Sequence, residues 1–334
     1  MKTLVFGSLN IDRTYTVGHF VQPGETLTAD RLELFCGGKG FNQAVALARA
    51  GEPVAMAGAV GSDGDFLLEP LKSEGVDISR IQRTDGASGH AIIQVDRDGH
   101  NCIIILAGAN GTITHEDADR VLSGFGAGDR IVLQNEISSL DYIIRAAHQK
   151  GMTVVLNPSP FNAALDACDF GCVDYLLVNE VEAAAIANCP DGTPFDEILK
   201  TVRERYPRIN VLMTLGHRGS VFAASDGSKT ECGIYCTQTV DTTAAGDCFT
   251  GYFLASLFGG ESAAKALQTA AIASGISVSR KGAATSIPTR EQVDTVDRSL
   301  VPDRYSRDGI RKSTDALQTV RLSGKIDSLQ SRKP

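Results

Sequence analysis

Two aspartates bracket a run of small residues just where an apolar helix is expected to begin. The stretch DTTAAGDCF covers residues 241–249, and the almost unbroken apolar run TGYFLASLF follows it. Small residues leave backbone amides uncovered, and the first N–H groups of a helix lack intrahelical partners and carry partial positive charge. Such a place suits an anion, although Asp247 is itself an anion. Both observations agree if Asp247 accepts a proton and the bound anion is a phosphoryl group.

The stretch GSLNID (7–12) places two polar side chains two residues apart. On a strand, Asn10 and Asp12 would point to the same side and could share a ligand with several hydroxyl groups. A strand end with an Asx turn is the alternative, and it would be preferred if this stretch stood alone.

The stretch CGGKGFNQAVALARAG (36–51) favours the ligand-binding interpretation. Its glycines expose backbone, Lys39 adds a positive charge, and Asn42 opens a predicted helix. It is not a Walker A loop, because Gly40 rather than Ser or Thr follows the lysine. A glycine-rich turn into a helix is the alternative. Considered together with GSLNID, a substrate-binding site is the better interpretation.

Two stretches in the second half suit a nucleotide and its metal ion. The glycines of TLGHRGS (214–220) would let the backbone approach a nucleotide closely, and His217 is interpreted as a solvated loop residue rather than an acid or base. In NEVE (179–182), Asn179 and Glu182 fit a helix capping box. The functional alternative is indirect coordination of Mg²⁺ by Glu182, because magnesium keeps several of its waters.

Composition excludes several classes of function. The chain has 334 residues and a net charge of −8, unlike the basic body of a nucleic-acid-binding protein. No apolar run approaches the roughly 20 residues of a membrane span. The eight cysteines lack zinc-site spacing, and scattered reduced thiols are expected. The opening residues favour a first strand over a signal peptide. We therefore expect a cytoplasmic protein without nucleic-acid or membrane partners.

Short β-rich apolar runs alternate with helical stretches along most of the chain. This βαβ alternation predicts an α/β fold with a parallel sheet and helices on both faces. Polar residues such as Glu136, Asn157 and Asn179 close several strands, and in such sheets ligands bind at the carboxyl ends of the strands. The predicted strands are 4–11, 53–60, 130–136, 153–159, 175–180 and 211–216, and representative helices are 42–50, 140–150 and 180–188.

Two stretches interrupt this alternation. Residues 13–36 and 89–106 have strand patterns without an intervening helix, and the second contains the hairpin signal DRDGHN. They predict a small separate sheet that could cover the crevice. From about residue 296 the pattern fails, and residues 297–334 hold nine Lys/Arg against five Asp. A peripheral extension or tail is expected there.

Several stretches, taken in order, resemble the ribokinase-like (pfkB) carbohydrate kinases over roughly residues 1–295. The resemblance implies a three-layer α/β sandwich with a mostly parallel central sheet and a small β-sheet lid. The kinase domain would be 1–295, with lid strands within about 13–36 and 89–106, and 296–334 would be an extension of unknown role. The matching stretches are GSLNID, PGET (23–26), GGKGFNQA (37–44), GAVGSDGDF (58–66), AGAN (107–110), NPSP (157–160), NEVE, TLGHRG, DTTAAGD and SRKGAATSIP (279–288).

The resemblance also implies an activity and a set of site residues. The activity is ATP-dependent phosphorylation of D-ribose at O5, giving ribose 5-phosphate. Asp247 would be the general base, and the amides of Ala244, Ala245 and Gly246 would form an anion hole for the transferred group. The sugar-binding residues would be Asn10, Asp12, Gly38, Lys39, Gly40, Asn42, Glu136 and Asp247. The ATP-binding residues would be Asn179, Thr214, Leu215, Gly216, His217, Arg218, Gly219 and Gly246.

Metal ions and a partner subunit are implied by the same resemblance. Mg²⁺ would accompany ATP, with Glu182 acting through water. K⁺ would be an activator, and a homodimer would form through the lid sheets. The alternative for Asp241 is that it only caps the helix ahead of it. The potassium ligands would be Asp241, Thr243, Ser277, Arg280, Gly282 and Ser286.

Other functions stay open on the sequence. A kinase of the same fold could act on deoxyribose, a ketohexose or a nucleoside. A catalytically silent sugar-binding regulator is disfavoured by the intact DTTAAGD stretch. A dehydrogenase is disfavoured more strongly, because GSLNID lacks the G-x-G-x-x-G fingerprint.

Overall fold

The computed structural model describes residues 1–190 and 192–304, and strands alternate with helices over most of them. The strands are β1 (Thr3–Phe6), β2 (Asn10–Thr16), β3 (Arg31–Gly37), β4 (Val54–Val60), β5 (Asp77–Arg83), β6 (Gly89–Val95), β7 (Asn101–Leu106), β8 (Arg130–Gln134), β9 (Thr153–Asn157), β10 (Tyr175–Asn179), β11 (Asn210–Thr214), β12 (Ser220–Ala223) and β13 (Lys229–Cys232). The helices are α1 (Lys39–Arg49), α2 (Asp65–Ser73), α3 (His115–Leu122), α4 (Leu140–Gln149), α5 (Glu180–Ala187), α6 (Phe195–Arg205), α7 (Ala245–Phe258), α8 (Ala263–Val278) and α9 (Arg290–Asp294).

A nine-stranded sheet forms the centre of the molecule, in the order β13-β12-β11-β10-β9-β8-β1-β4-β5. The strands from β11 to β5 pair in parallel, and β12 and β13 are added antiparallel at one edge. A parallel strand that is buried on both faces has apolar residues on both faces. For this reason β1 (TLVF) and β8 (RIVLQ) do not alternate between apolar and polar residues.

Helices cover both faces of this central sheet. Successive side chains of a strand point to opposite faces. Val5 of β1 packs in one core with residues of α1, α7 and α8. Its neighbours Leu4 and Phe6 pack in a second core with residues of α3 to α6. The predicted three-layer α/β sandwich is therefore confirmed.

A separate four-stranded sheet has the order β3-β2-β6-β7 and will be called the small sheet. β2 pairs antiparallel with β3 and parallel with β6, and β6 and β7 form the predicted hairpin. All six residues of β7 are exposed, and the small sheet presents apolar side chains to solvent on both of its faces. These are Leu32, Leu34, Ile92, Ile103, Ile104, Ile105 and Leu106.

The predicted strand 4–11 is wrong in its second half. The chain leaves the central sheet after Phe6 and enters the small sheet at Asn10. The reason is the close packing of α1 against the connecting residues, because a Cβ at Gly40 would lie 2.5 Å from Ser8 N. Asn10 and Asp12 therefore begin a strand of the small sheet instead of ending a central strand.

The end of the described chain packs against the helices of the central sheet. Val301 is buried in the same core as α7 and α8, and the N–H of Gly233 donates to Pro302 O at 2.7 Å. Most of the predicted extension, residues 305–334, lies outside the described residues, and the boundary at 295/296 stays a prediction. Across the portion described, the helices are too short or too polar to cross a membrane.

Candidate active site

The DTTAAGD segment leads directly into α7. Ala244 precedes the helix in a left-handed conformation, with φ of 59°, although it is not a glycine. That turn places the first amides of α7 at the edge of a cleft. The N–H groups at the start of a helix lack intrahelical partners. The N–H of Ala245 lies 3.2 Å from Thr242 O, so a ligand at this amide would compete with that bond.

Asp247, in the first turn of α7, is held by two amide side chains of α1. Asn42 Nδ2 donates to its Oδ2 at 3.0 Å, and Gln43 Nε2 donates to its Oδ1 at 2.9 Å. Asp247 as a whole residue is only 7% exposed. Asn42 Oδ1 is buried without a hydrogen-bond partner among the residues that the structure describes. A buried carbonyl oxygen without a partner is costly, so a hydroxyl donor is expected there when a ligand binds.

Three other predicted sugar-binding residues, Asn10, Lys39 and Glu136, belong to two hydrogen-bonded groups around the start of β2. Asn110 Nδ2 donates to Asn10 Oδ1 at 2.7 Å, and Asn110 Oδ1 accepts from the N–H of Leu9 at 3.0 Å. The N–H of Lys39 donates to Glu136 Oε2 at 2.9 Å, and Ser8 Oγ donates to the same oxygen. The structure thus brings the ends of β1, β2 and β8 together at the start of α1.

The carboxyl group of Asp12 lies against the backbone of Gly37. A Cβ at Gly37 would come within 2.1 Å of Asp12 Oδ2, so a larger residue there would displace this carboxylate. Burial, with a smaller contribution from the charge of Glu136, raises the pKa of Asp12 from 3.8 to about 7.

Lys39 extends into the adjoining cleft. Burial alone would lower the pKa of its ammonium group, yet that pKa is raised because nearby carboxylates outweigh burial. Those carboxylates belong to Asp247, Glu136 and Glu182. The cleft has a volume of about 450 Å³. The carboxyl ends of β9, β10 and β11 form one wall, through Asn157, Asn179 and Thr214, as the polar strand endings predicted.

A second cavity of about 500 Å³ adjoins the first, and both are lined by Thr214, Thr242, Ala245 and Gly246. Its other walls are largely apolar and include Ile234, Tyr235 and Phe249. The predicted nucleotide loop 214–219 forms its rim, with Gly216 and His217 exposed.

The rest of that loop is built for close backbone packing. Gly219 has φ of 94°, and a Cβ there would lie 2.0 Å from Cys232 O. Leu215 is buried in the core, and its N–H donates to Gly219 O at 2.8 Å. Arg218 pairs with Glu180 at the start of α5. Leu215 and Arg218 do not line this cavity and act as supports for the loop.

Glu182 forms the predicted capping box with Asn179. The N–H of Asn179 donates to Glu182 Oε2 at 3.0 Å, and the N–H of Glu182 donates to Asn179 Oδ1 at 2.9 Å. Ser159 donates to the other carboxylate oxygen. Each carboxylate oxygen keeps a second lone pair. Since Glu182 also lines the cleft, its oxygens fit a water-mediated contact with Mg²⁺ as well as a structural role.

The residues predicted for K⁺ meet at the end of α8. Asp241 Oδ2 accepts from the N–H of Gly282 and Oδ1 accepts from the N–H of Thr243, both at 2.9 Å. Burial opposes ionisation, but these bonds hold the pKa of Asp241 below its usual value. The N–H of Arg280 donates to Ser277 O at 3.0 Å, and the hydroxyls of Ser277 and Ser286 are 2.7 Å apart.

This donor set consists of oxygens and includes one ionised carboxylate, which suits a hard monovalent cation. The alternative in which Asp241 caps α7 is wrong. Ala244 is the N-cap of that helix and makes no side-chain capping bond, and Asp241 instead closes a turn onto Thr243.

Several residues of the site were not singled out from the sequence. Ser8 and Asn110 support Glu136 and Asn10, Gln43 holds Asp247, and Ser159 contacts Glu182. All four lie within the stretches GSLNID, AGAN, GGKGFNQA and NPSP. Their presence in those stretches was therefore the signal that the sequence offered. The sequence did not indicate their hydrogen-bond partners.

Comparison with known proteins agrees with this geometry. The model of the pfkB family carbohydrate kinases matches residues 2–290. A ribokinase of Staphylococcus aureus is 35% identical over 306 residues, which cover 88% of this chain and 99% of that protein. A deoxyribokinase of Salmonella typhi is 31% identical over 300 residues, covering 87% of this chain and 97% of that protein.

A solved structure of Arabidopsis thaliana ribokinase complexed with ribose and ATP is 30% identical, with a TM-score of 0.78. The match covers 87% of this chain and 97% of that one. Sequence, fold and cleft geometry therefore lead to one conclusion. The chain belongs to the pfkB family of carbohydrate kinases and is a sugar kinase.

Proposed function

We propose that this protein transfers the γ-phosphoryl group of ATP to O5 of D-ribose, giving ribose 5-phosphate. The observation that carries the proposal is the position of Asp247. Its carboxylate lies at the N-terminus of α7, where the polar cluster around β2 meets the cleft that continues into the apolar cavity. A base at that junction can take the proton of the attacking hydroxyl while the helix amides receive the transferred group.

The sugar is assigned to the polar cluster. Asn10, Asp12, Asn42 and Glu136 supply side-chain acceptors and donors, and Gly38, Lys39 and Gly40 bring α1 close to them. Asn42 Oδ1, which has no partner in residues 1–190 and 192–304, is the expected acceptor for a sugar hydroxyl. Multiple hydrogen bonds from fixed groups favour a polyhydroxylated ligand over an apolar one.

ATP is assigned to the two connected cavities. The phosphates would lie near Lys39, Asn179 and the amides of Ala244, Ala245 and Gly246, and the base would enter the apolar cavity beside the 214–219 loop. Mg²⁺ bound with ATP would offset phosphate charge, with Glu182 holding one of its waters. Once Mg²⁺ offsets the phosphate charge, the remaining task of Lys39, Asn179 and Glu182 would be to position the reactants.

Two finer features belong to the same proposal. K⁺ would bind at the oxygens of Asp241, Thr243, Ser277, Arg280, Gly282 and Ser286 and keep the segment before α7 in place. The face of the small sheet that carries Leu32, Leu34, Ile92, Ile104 and Leu106 would pair two copies of the chain, because exposed apolar side chains gathered on one face commonly mark an interface. Sedimentation of the purified protein would show a dimer, and a stable monomer would contradict the pairing. A cytoplasmic location remains our expectation.

Deoxyribose is the second candidate acceptor, because the Salmonella typhi deoxyribokinase is nearly as similar as the ribokinases. A substrate panel tests both. Purified protein with ATP and Mg²⁺ would be assayed for ADP formation on ribose, deoxyribose, fructose and adenosine, with a no-sugar control. The highest kcat/KM is expected on ribose. A higher value on deoxyribose would replace the acceptor, and comparable values on ribose and fructose would contradict a ribose-specific enzyme.

A further inference from the structure

Two glutamines with no assigned role lie behind Asp247. Gln43 Nε2 on α1 donates to Asp247 Oδ1 at 2.9 Å, and Gln134 Nε2 at the end of β8 donates to Gln43 Oε1 at 2.7 Å. Both side chains are fully buried. A chain of three polar groups thus runs from the central sheet, through the first turn of α1, to the carboxylate on α7.

The orientation of both amides follows from the carboxylate. An ionised carboxylate only accepts hydrogen bonds, so the nitrogen of Gln43 must face Asp247 and its oxygen must face away. That oxygen then requires a donor, which fixes the nitrogen of Gln134 toward it. Within the described parts of the chain, Gln134 Oε1 is left buried without a partner, and a Cβ at Gly7 would lie only 2.0 Å from it. Glycine at position 7 makes room for it.

Asn42 and Gln43 hold the two carboxylate oxygens in different ways. Asn42 lies beside the cleft residues and has its own buried oxygen available for a ligand. Gln43 has no such second task, because both ends of its amide are engaged within the protein. When a sugar hydroxyl hydrogen-bonds to Asn42, the hydrogen bond from Gln43 still fixes the rotation of the Asp247 carboxylate.

We infer that Gln43 is a positioning residue for Asp247 and that Gln134 holds Gln43 in the required orientation. The inference rests on the proposed role of Asp247 as general base. Gln43 touches neither reactant. It keeps Oδ2 of Asp247 turned toward the position of the attacking hydroxyl, so that the proton is accepted without a rotation of the carboxyl group.

Gln43→Met tests the inference, because methionine has a similar length and lacks the donor. Small misplacements of a reacting group can lower rates by up to roughly 100-fold, and we expect kcat to fall by about 10-fold or more. Ribose affinity by calorimetry should stay within about twofold, since a positioning role affects turnover and not sugar binding. Thr269→Val, which removes a fully buried hydroxyl from α8, is the control and should leave kcat unchanged.

The double variant with Asp247→Asn separates positioning from general stability. Once the base is absent, Gln43→Met should lower kcat no further, and a further loss of the same size would overturn the inference. Wild-type kcat in Gln43→Met would also overturn it, while leaving Asp247 as the base. Near-normal kcat in Asp247→Asn alone would instead overturn the proposed function. If Gln43→Met does not fold, Gln134→Met decides, with the same non-additivity expected.

Discussion

The proposed sugar side and the proposed nucleotide side of the cleft are built differently. On the sugar side, buried side chains such as Asn10, Asn42 and Asp247 are joined in hydrogen-bonded clusters that reach across the sequence. On the nucleotide side, the cavity has apolar walls and a rim formed by the glycine-containing 214–219 loop. The first side depends on particular functional groups, and the second depends on backbone shape.

This difference bears on how each side should respond to substitution. Removing one member of a buried polar cluster leaves its partners unsatisfied and alters the ligand contacts at once. Replacing an exposed side chain on the rim of an apolar cavity leaves the backbone path intact. Single substitutions should therefore affect sugar recognition sharply and ATP recognition weakly.

The largest effect is expected at the junction of the two sides. Asp247→Asn keeps the size of the side chain and removes the proton acceptor, and loss of a general base costs roughly 10²–10⁴ in rate. We expect kcat to fall by that factor while ribose binding, measured by calorimetry, is retained. A near-normal kcat would remove Asp247 from the reaction.

Asp12→Ala should act on sugar binding alone. A hydrogen bond to a charged group is worth about 1.5–3 kcal/mol, which corresponds to roughly 10- to 100-fold in affinity. We expect the sugar KM to rise by that factor and the ATP KM to change little. Asp226→Ala is the control, because Asp226 lies in an exposed turn and its carboxylate accepts from the N–H of Ser228. A collapse of ATP affinity would place Asp12 on the nucleotide side.

The pH dependence of sugar affinity should follow from the same carboxyl group. With a pKa of about 7, Asp12 is mostly protonated at pH 6 and mostly ionised at pH 8. If the ionised form binds the sugar, affinity should rise roughly tenfold over that range, because the ionised fraction does. Calorimetric titrations with ribose at the two pH values would measure it, and a flat response would contradict the assignment.

The effect of Asp12 on stability has the opposite sign. Its folded pKa is raised above the unfolded value, so its contribution to folding is complete below about pH 3.8 and is lost as pH rises through about 7. In the absence of sugar, Asp12→Asn should make the Tm less dependent on pH in this window. An unchanged dependence would show that Asp12 ionises freely in the folded protein.

A smaller effect is expected from monovalent cations, which would act on the segment before α7 from outside the cleft. Activity should rise several-fold when K⁺ replaces tetramethylammonium at equal ionic strength, because the cation would order the oxygens around Asp241. Asp241→Ala should abolish the response. Equal wild-type rates with both cations would leave Asp241 as a turn residue only.

The smallest effect is expected on the nucleotide rim. His217 is exposed, and His217→Ala should change the ATP KM within about twofold, as surface substitutions usually do. Gly219→Ala is the contrasting variant, since its Cβ would collide with Cys232 O and displace the loop. If His217→Ala raised the ATP KM as strongly as Gly219→Ala, the nucleotide side would also depend on side chains.

Much of the fold could be predicted from the sequence, because it depends on local patterns. The alternation of apolar strands and helices, and the hairpin at 96–100, are properties of neighbouring residues, and the structure has both. The strand 4–11 was mispredicted because the break at Gly7 and Ser8 is imposed by α1, which packs on it from 32 residues away. Local apolar continuity carries no information about that contact.

The candidate site divides in the same way. Asp247, Asn42 and the glycines could be proposed from motif chemistry and resemblance. The roles of Asn110, Gln43 and Gln134 could not, because their hydrogen bonds join residues separated by 101, 204 and 91 positions. The role of an amide side chain cannot be assigned until its hydrogen-bond partner is known. Partners this far apart in the sequence are brought together only by the tertiary fold.

Strand β2 connects the proposed sugar site to the small sheet. Its first residues, Asn10 and Asp12, belong to the sugar side, and the same strand pairs along its length with β3 and β6. If Asn10 and Asp12 bind the sugar, as proposed, a displacement of the small sheet that moves them would change sugar affinity, and by reciprocity bound sugar would bias the position of that sheet by the same factor. If the exposed face of the small sheet pairs two copies, as proposed, apparent sugar affinity becomes a function of protein concentration.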